Sequence, residues 1–280
     1  MSHTDRIDCA RTNSHALVRW SVRPLVRFFR SVGRSLKLAS LLLYGALELI
    51  VRRPATRRQQ AEWLHRLCAR ILRSMDIAVH GDGTPPDCGV VISNHLGYLD
   101  ILVFAALHRC VFVAKSEIAA WPLLGWMTTM AGTVYVERGR GGSANRAARD
   151  MQAAANAGIP VVFFPEGTTS DGSTVLKFHS GLLVQALEAG QPVTAAHLRY
   201  RLTHDNGPAV SVRSHVGYWD DTPLLLHIFR LLALRGIAVD IRFAASPIAF
   251  SASPDQRNLI AAQARAAVVE LAEVTPVPVQ

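Results

Sequence analysis

Residues 88–107 read Cys-Gly-Val-Val-Ile-Ser-Asn-His-Leu-Gly-Tyr-Leu-Asp-Ile-Leu-Val-Phe-Ala-Ala-Leu. The run to Ile92 is short, apolar and β-branched, which predicts a buried strand at Cys88–Ile92. Small and polar turn formers follow, and from Asp100 to about Leu107 the chain reads as a helix with an acidic first turn. Strand, turn, helix is the repeating unit of an open α/β sheet, and the same rhythm continues downstream.

Cys110–Ala114 predicts a second strand, Pro122–Met130 a short helix, and Thr133–Val136 a third strand. A Gly-rich stretch at Gly139–Gly142 leads into an Ala-rich helix, Ser143–Asn156. Pro160–Phe164 is a fully apolar strand with a helix at Gly181–Ala189 behind it. Val193–Leu198, Ala209–Gly217 and Val239–Phe243 supply further strands, and a last helix runs from Pro254 to about Glu273. The alternation predicts an α/β fold, a mostly parallel central sheet flanked by helices. In such sheets ligands collect where strands end and loops begin.

The 280 residues, half of them hydrophobic, suffice for a core that needs neither disulfide nor metal. Cys9, Cys68, Cys88 and Cys110 form no CxxC and no metal spacing, which points to a reducing, cytoplasmic setting. There is no GxSxG, no GxxxxGK[ST], no HExxH and no GxGxxG after a strand. Serine hydrolases of that design, P-loop NTPases, zincins and dinucleotide enzymes are therefore disfavoured.

The net charge is +9, and its location matters more than its size. Residues 1–60 carry 12 Lys and Arg against Asp5, Asp8 and Glu48, whereas 61–280 are balanced. This divides the chain into a basic N-terminal arm with membrane-associated helices (1–60) and a neutral α/β body (61–280). Nucleic acid would require basic residues interleaved with aromatics on a folded face, and none stand out; an anionic membrane surface fits better. About 35 residues precede the apolar run at 36–51, and no small-residue cleavage site follows it, so it does not read as a secretory signal. Within that run only ten residues, between Lys37 and Glu48, are free of charge, against the roughly 20 a spanning helix needs. Val22–Arg30 alternates Arg with apolar residues, as an interfacial helix would; a core helix with a solvated basic face is the other reading.

Three stretches carry candidate chemistry. His95 and Asp100 flank the turn after Cys88–Ile92; His3/Asp8 and His215/Asp220 share the spacing without the strand-to-helix setting. A turn that returns the carboxylate to Nδ1 fixes the tautomer and leaves Nε2 to accept a proton. A buried histidine tied to a capping aspartate is the competing reading. Phe164-Pro165-Glu166-Gly167-Thr168-Thr169-Ser170-Asp171-Gly172 sets a carboxylate, backbone N–H groups and hydroxyls at a strand end, suited to a polar headgroup or phosphate; it also reads as a plain turn. Val136-Glu137-Arg138-Gly139-Arg140 and Lys115 add cations past two further strands, Arg138 being able to grip a phosphate bidentately. Together they place His, Glu, Arg and Lys at the same ends of four neighbouring strands.

Asn94-His95-x4-Asp100, Gly132-x3-Val136-Glu137-Arg138, Phe164-Pro165-Glu166-Gly167-Thr168 and Gln191-Pro192-Val193-Thr194 stand in this order. From about residue 60 to 250 the chain resembles the glycerolipid (lysophospholipid) acyltransferase family, as in bacterial 1-acyl-sn-glycerol-3-phosphate acyltransferases. Lys115-Ser116-Glu117-Ile118 with Pro122 and Gly125 is similar to that family's lysine block. The resemblance implies a membrane-associated enzyme of phospholipid biosynthesis, on the cytoplasmic face of the cytoplasmic membrane. It would move an acyl group from acyl-CoA or acyl-acyl-carrier protein to the sn-2 hydroxyl of lysophosphatidate, giving phosphatidate. His95 would be the general base and Asp100 its orienting partner. Asn94, Lys115, Arg138, Glu166, Gly167 and Thr168 would hold the acceptor, with Arg138 on phosphate. No metal or resident cofactor is implied.

Departures from the family pattern bear on the acceptor. Glu137 stands for the usual Asp, Thr169 for a frequent Arg, His179 for a Lys or Arg, and 193–196 lack a usual proline. The Thr-Ser-Asp-Gly form of the third block occurs in relatives that acylate lyso-ornithine lipid, which is the alternative acceptor. Leu224–Ala238 reads as a second apolar helix broken by His227, Arg230 and Arg235, lining an acyl tunnel, lying on the bilayer, or packing as a core helix. Two other function classes fit the residues: a non-catalytic membrane-surface scaffold and a soluble thioester hydrolase.

Overall fold

The structure is a computed structural model that describes residues 8–137 and 143–273. Helix α1 (Asp8–Arg52) leads into α2 (Arg57–Ser74) and strand β1 (Ile77–Asp82). The α/β repeat begins with β2 (Val90–Ile92), α3 (Tyr98–Leu107), β3 (Val111–Lys115), a 3-10 turn at Ser116–Ala120, α4 (Leu124–Met130) and β4 (Val134–Val136). It continues with α5 (Ser143–Asn156), β5 (Val161–Phe163), α6 (Gly181–Glu188), β6 (Val193–Leu202), α7 (Val212–His215), α8 (Leu224–Leu232), β7 (Ile237–Phe243) and α9 (Arg257–Glu273).

The seven strands form one sheet in the order β1-β7-β6-β2-β5-β3-β4, and only β6 and β7 run antiparallel. Val90, Val91 and Ile92 are buried on both faces, which is why β2 is a continuous apolar run and not an alternating one. One core layer packs α2, α3 and α8 against the sheet, and the other packs α5, α6 and α9. β2 starts at Gly89, whose φ of 81° and closeness to Pro192 leave no room for a side chain: a Cβ would lie 2.5 Å from the Pro192 carbonyl oxygen.

Helix α1 is held against the body by its polar face. Arg30 donates to the Ala233 carbonyl (2.9 Å), Arg34 to Leu234 (2.6 Å), Arg27 to Asn206 (3.1 Å), and Ser31 to Phe229. Arg30 and Arg34 therefore cap the carbonyls at the C-terminal end of α8, where cations are favoured, and Arg27 ties α1 to the loop after β6. Further along, buried Glu48 takes Arg66 (3.1 Å), Arg52 (3.3 Å) and Arg70 (3.4 Å), and the Trp63 indole donates to the Gly45 carbonyl. The outward face is apolar: Leu25, Val26, Phe28, Phe29, Leu36, Leu43, Tyr44, Leu47, Ile50 and Val51 are exposed, Phe29 at 68% and Val51 at 80%. No helix of the described residues is long and apolar enough to cross a membrane.

Several sequence expectations change. Ala209–Gly217 is not a strand: Ser211 caps the short helix α7 by accepting from the Ser214 N–H. The apolar stretch 224–238 is not one helix, because α8 ends at Leu232 and Gly236, at φ 63°, turns the chain into β7. The last helix starts at Arg257, three residues after Pro254. The two N-terminal segments are parts of one helix, and α2 and β1, for which the sequence carried no expectation, complete the fold. His3, Arg138 and the stretch 139–142 lie outside the described residues.

Gly89→Ala adds a positive-φ strain to a backbone clash at the base of β2. It is expected to cost roughly 1–3 kcal/mol or more, read as a lower urea midpoint at unchanged slope.

Candidate active site

The register Ile92–Phe163 sets the site, because His95 and Glu166 each lie three residues beyond it on adjacent parallel strands. Asp100 is the third residue of α3 and reaches back over the turn. Its Oδ2 accepts from the His95 Nδ1–H (2.7 Å), the Leu96 N–H (2.6 Å) and the Gly97 N–H (3.0 Å). Its Oδ1 accepts from the Tyr200 hydroxyl at 2.7 Å, and the side chain is fully buried. Four donors satisfy a charge that burial alone would make costly. They also order the turn, since one carboxylate closes the helix N-terminus and holds the imidazole. Gly97 is needed for space: a Cβ there would come 3.1 Å from that of Tyr218.

With Nδ1–H committed to Asp100, His95 carries its lone pair on Nε2, which makes no hydrogen bond among the described residues. The ring stacks on Phe164 (centroids 4.0 Å apart, planes at 7°), and the side chain stays 18% exposed. One face is thus fixed while an edge meets solvent. The main chain of His95 is held as firmly. Glu166 Oε1 accepts its N–H at 2.9 Å, and Ser170 donates its N–H to its carbonyl at 2.8 Å.

Glu166 sits in a tight turn whose Gly167 N–H donates to Phe164 (3.0 Å), with Pro165 second and Gly167 last as such turns favour. Its second oxygen accepts the Leu176 N–H at 3.2 Å, and the residue is buried. Burial pushes the Glu166 carboxyl above the usual carboxylate range, against the opposing pull of these N–H groups. Asn94 is buried too, its amide exchanging bonds with the Leu198 main chain (2.8 and 3.0 Å) and tying β2 to β6. Lys115, paired in register with Val136 at the ends of β3 and β4, is exposed, as is Thr168.

The structure thus joins His95, Asp100, Asn94 and Glu166 in one connected cluster. Lys115 lies at the corresponding strand ends, without a side-chain contact to it among the bonds observed. Arg138 lies outside the described residues, two beyond the end of β4. His215 ends α7 and bonds Ser214, away from any aspartate partner. Sequence reasoning missed Tyr200 and Leu176, which act on the cluster from far along the chain, placed Ser170 in the candidate loop without its bond to His95, and gave Phe164 no role. It also missed the His227–Tyr98 pair behind the turn. The Tyr98 hydroxyl donates to Nδ1 of His227 (2.9 Å) while Nε2–H donates to the Gly217 carbonyl (2.8 Å), and burial pulls His227 below its usual value.

The arrangement is an oriented imidazole at the carboxyl end of a parallel strand, with no nucleophilic side chain bonded to it. Residues 76–199 match the Acyltransferase family model. The chain is 30% identical over 246 residues to a lyso-ornithine lipid O-acyltransferase of Brucella abortus, covering 84% of this chain and 90% of that one. It is 35% identical over 182 residues to the Pseudomonas aeruginosa protein of the same name, covering 64% of this chain and 66% of that one, just under two thirds of its length. It is 31% identical over 176 residues to a 1-acyl-sn-glycerol-3-phosphate acyltransferase of Neisseria meningitidis, covering 67% of that protein. The crystal structure of PlsC, the 1-acyl-sn-glycerophosphate acyltransferase of Thermotoga maritima, superposes with a TM-score of 0.60 at 18% identity over 91% of this chain and 99% of that one, a likeness of fold. The chain belongs to the acyltransferase family.

Glu166→Gln sets an amide N–H₂ against backbone N–H groups and should cost about 1–3 kcal/mol. The raised carboxyl gives the sign of the pH dependence. Wild-type stability from this group is full below the ordinary carboxylate range and is lost as pH rises through the raised value, whereas glutamine does not titrate. The cost of the substitution should therefore be largest near the acid end and shrink toward neutrality in urea melts compared across pH.

Proposed function

We propose that this protein is a lysolipid O-acyltransferase working at a membrane surface, with His95 as its general base. The observation that carries this reading is the imidazole itself, held by buried Asp100 through Nδ1, stacked on Phe164, partly exposed, and with no hydrogen bond on Nε2 among the described residues. The acceptor hydroxyl gives its proton to Nε2 as its oxygen attacks the carbonyl carbon of an acyl thioester. The tetrahedral adduct then collapses, the C–S bond breaks, and the imidazolium returns the proton to the leaving thiolate. No covalent enzyme intermediate is required, in keeping with the lack, among the described residues, of a serine or cysteine bonded to the His95 ring. Asp100 keeps the tautomer and stabilises the imidazolium.

Asn94 and Glu166 position His95 through the backbone, since their polar atoms are engaged by Leu198, His95 and Leu176. Acceptor contacts fall instead to Lys115, Arg138 and Thr168, and Gly167, whose N–H closes the turn on Phe164, shapes that loop. We take lyso-ornithine lipid as the acceptor. Thr169 removes a cation that would repel the ornithine ammonium, and the Brucella and Pseudomonas relatives carry that name. Lysophosphatidate is the second reading, favoured by Glu137-Arg138 and the Neisseria relative. The donor, acyl-CoA or acyl-acyl-carrier protein, is a cytoplasmic thioester, which favours the cytoplasmic face. Membrane attachment is supported by α1, whose Arg27, Arg30 and Arg34 turn into the protein while Leu25, Phe28, Phe29 and Leu36 turn out.

Purified protein in mixed micelles, given labelled donor and each lysolipid in turn, tests this. Wild type should acylate lyso-ornithine lipid, and His95→Ala should lose roughly 10²–10⁴-fold in turnover with melting temperature and membrane binding kept. Product from lysophosphatidate alone would overturn the acceptor. Loss of stability without a specific loss of turnover would make His95 structural. Thioester consumption without any acceptor would make the protein a hydrolase.

A further inference from the structure

Beyond β3, five consecutive apolar residues, Ala119-Ala120-Trp121-Pro122-Leu123, are exposed, and Trp126 follows on α4. Trp121 is 41%, Leu123 47% and Trp126 39% exposed. Large apolar side chains grouped in this way on a soluble surface mark a contact site. The backbone holds them out at a cost. Leu123 lies at φ 57° and ψ −57°, and the Leu124 N–H donates back to Pro122 at 2.6 Å, which is the rare, strained form of γ-turn.

The turn is braced and not slack. Gly125 packs so tightly on the 3-10 turn that a Cβ would lie 2.2 Å from the Ala119 carbonyl oxygen. Thr128 bonds the Leu124 carbonyl (2.9 Å) and the Tyr135 hydroxyl (2.8 Å). The indole N–H groups of Trp121 and Trp126 donate to nothing among the described residues. They suit a boundary where one end of the ring is apolar and the other wet.

We propose that the 119–126 turn is a second membrane anchor, inserting Trp121, Leu123 and Trp126 into the headgroup boundary of an anionic leaflet. This rests on the membrane reading above and extends it from α1 to the α/β body. Continuity argues for lipid as the occupant. α4 abuts α1, with a Cβ on Gly45 falling 3.5 Å from the Met127 methyl group, and the exposed Leu43, Tyr44 and Leu47 of α1 flank that point. Charge at the turn itself is balanced, Lys115 and Glu117 both being exposed, while the net excess of cations lies in the N-terminal segment, where Lys37 is exposed on α1. Two anchors on different elements fix the orientation of the domain, where one helix would leave it free to roll. They bring the leaflet to the ends of β3 and β4.

The test uses the full chain and phosphatidylglycerol/phosphatidylethanolamine vesicles with brominated acyl chains, which quench inserted tryptophans. Wild-type emission should be quenched, and Trp121→Phe with Trp126→Phe should remove most of the quenched component while binding persists. Trp121→Ala, Leu123→Ser and Trp126→Ala together should lower vesicle partition about tenfold at an unchanged melting temperature. Quenching undiminished in the Phe pair would overturn the proposal, and that readout survives even if the triple variant fails to fold. Partition equal to wild type in a folded triple variant would overturn it as well. Phe28→Asp with Phe29→Asp separates the anchors: loss of binding there with none in the triple variant leaves α1 as the anchor and removes this one. No vesicle binding by wild type would remove both.

Discussion

The carboxylate of Asp100 is the point on which the site depends. It is fully buried, and a buried charge survives only where donors replace its water. Here the donors are the Leu96 and Gly97 N–H groups of the turn, the His95 ring and the Tyr200 hydroxyl. Each makes a separate demand on the fold. The turn must curl back on α3, β6 must extend past β2 far enough to present Tyr200, and Tyr218 must approach Gly97 closely. The parallel sheet satisfies all of these, so the imidazole orientation follows from the architecture and not from one local contact.

That dependence explains what the sequence made legible. The strand-turn-helix around His95 and Asp100 involves five residues of separation, and local spacing reports it. The α/β rhythm, the strands near Val90, Val111 and Val161 and the helix Ser143–Asn156 are set by burial on both faces or on one stripe, which periodicity also reports. Tyr200 lies 100 residues from Asp100 with no motif around it, and Ser170, although inside the 164–172 stretch, lies 75 residues from the His95 carbonyl that it holds. Ala209–Gly217 looked like a strand because Val210, Val212 and Val216 alternate. A serine cap and a buried Val216 decided otherwise.

Helix α1 shows why polarity pattern alone leaves the facing of a helix undecided. Its arginines and apolar residues were visible as an amphipathic set, and the natural assumption sends cations to the outside. The structure sends Arg30 and Arg34 inward, because α8 ends with carbonyls that need donors and lie within reach of long guanidinium arms, and Arg27 reaches the Asn206 carbonyl beside them. Phe28, Phe29 and their neighbours are then left facing out. Among the described residues nothing covers that face, and this is what supports the membrane reading of α1.

The same accounting separates the motif residues into those that hold and those that are free to bind. Asn94 and Glu166 are buried and have both polar ends engaged by backbone, so each fixes a segment that carries His95. A residue spent on backbone cannot also follow the chemistry of a headgroup. Lys115 and Thr168 are exposed and carry no such commitment, and Thr169 is partly so. On the reading proposed above, a change of acceptor with the same proton transfer would alter the second set and leave the first alone. The substitution of Thr169 for a frequent Arg falls in the second set, one residue before the Ser170 that binds the His95 carbonyl. On that reading, acceptor choice and base geometry sit side by side on one loop, and can change independently because one rests on side chains facing out and the other on backbone bonds facing in.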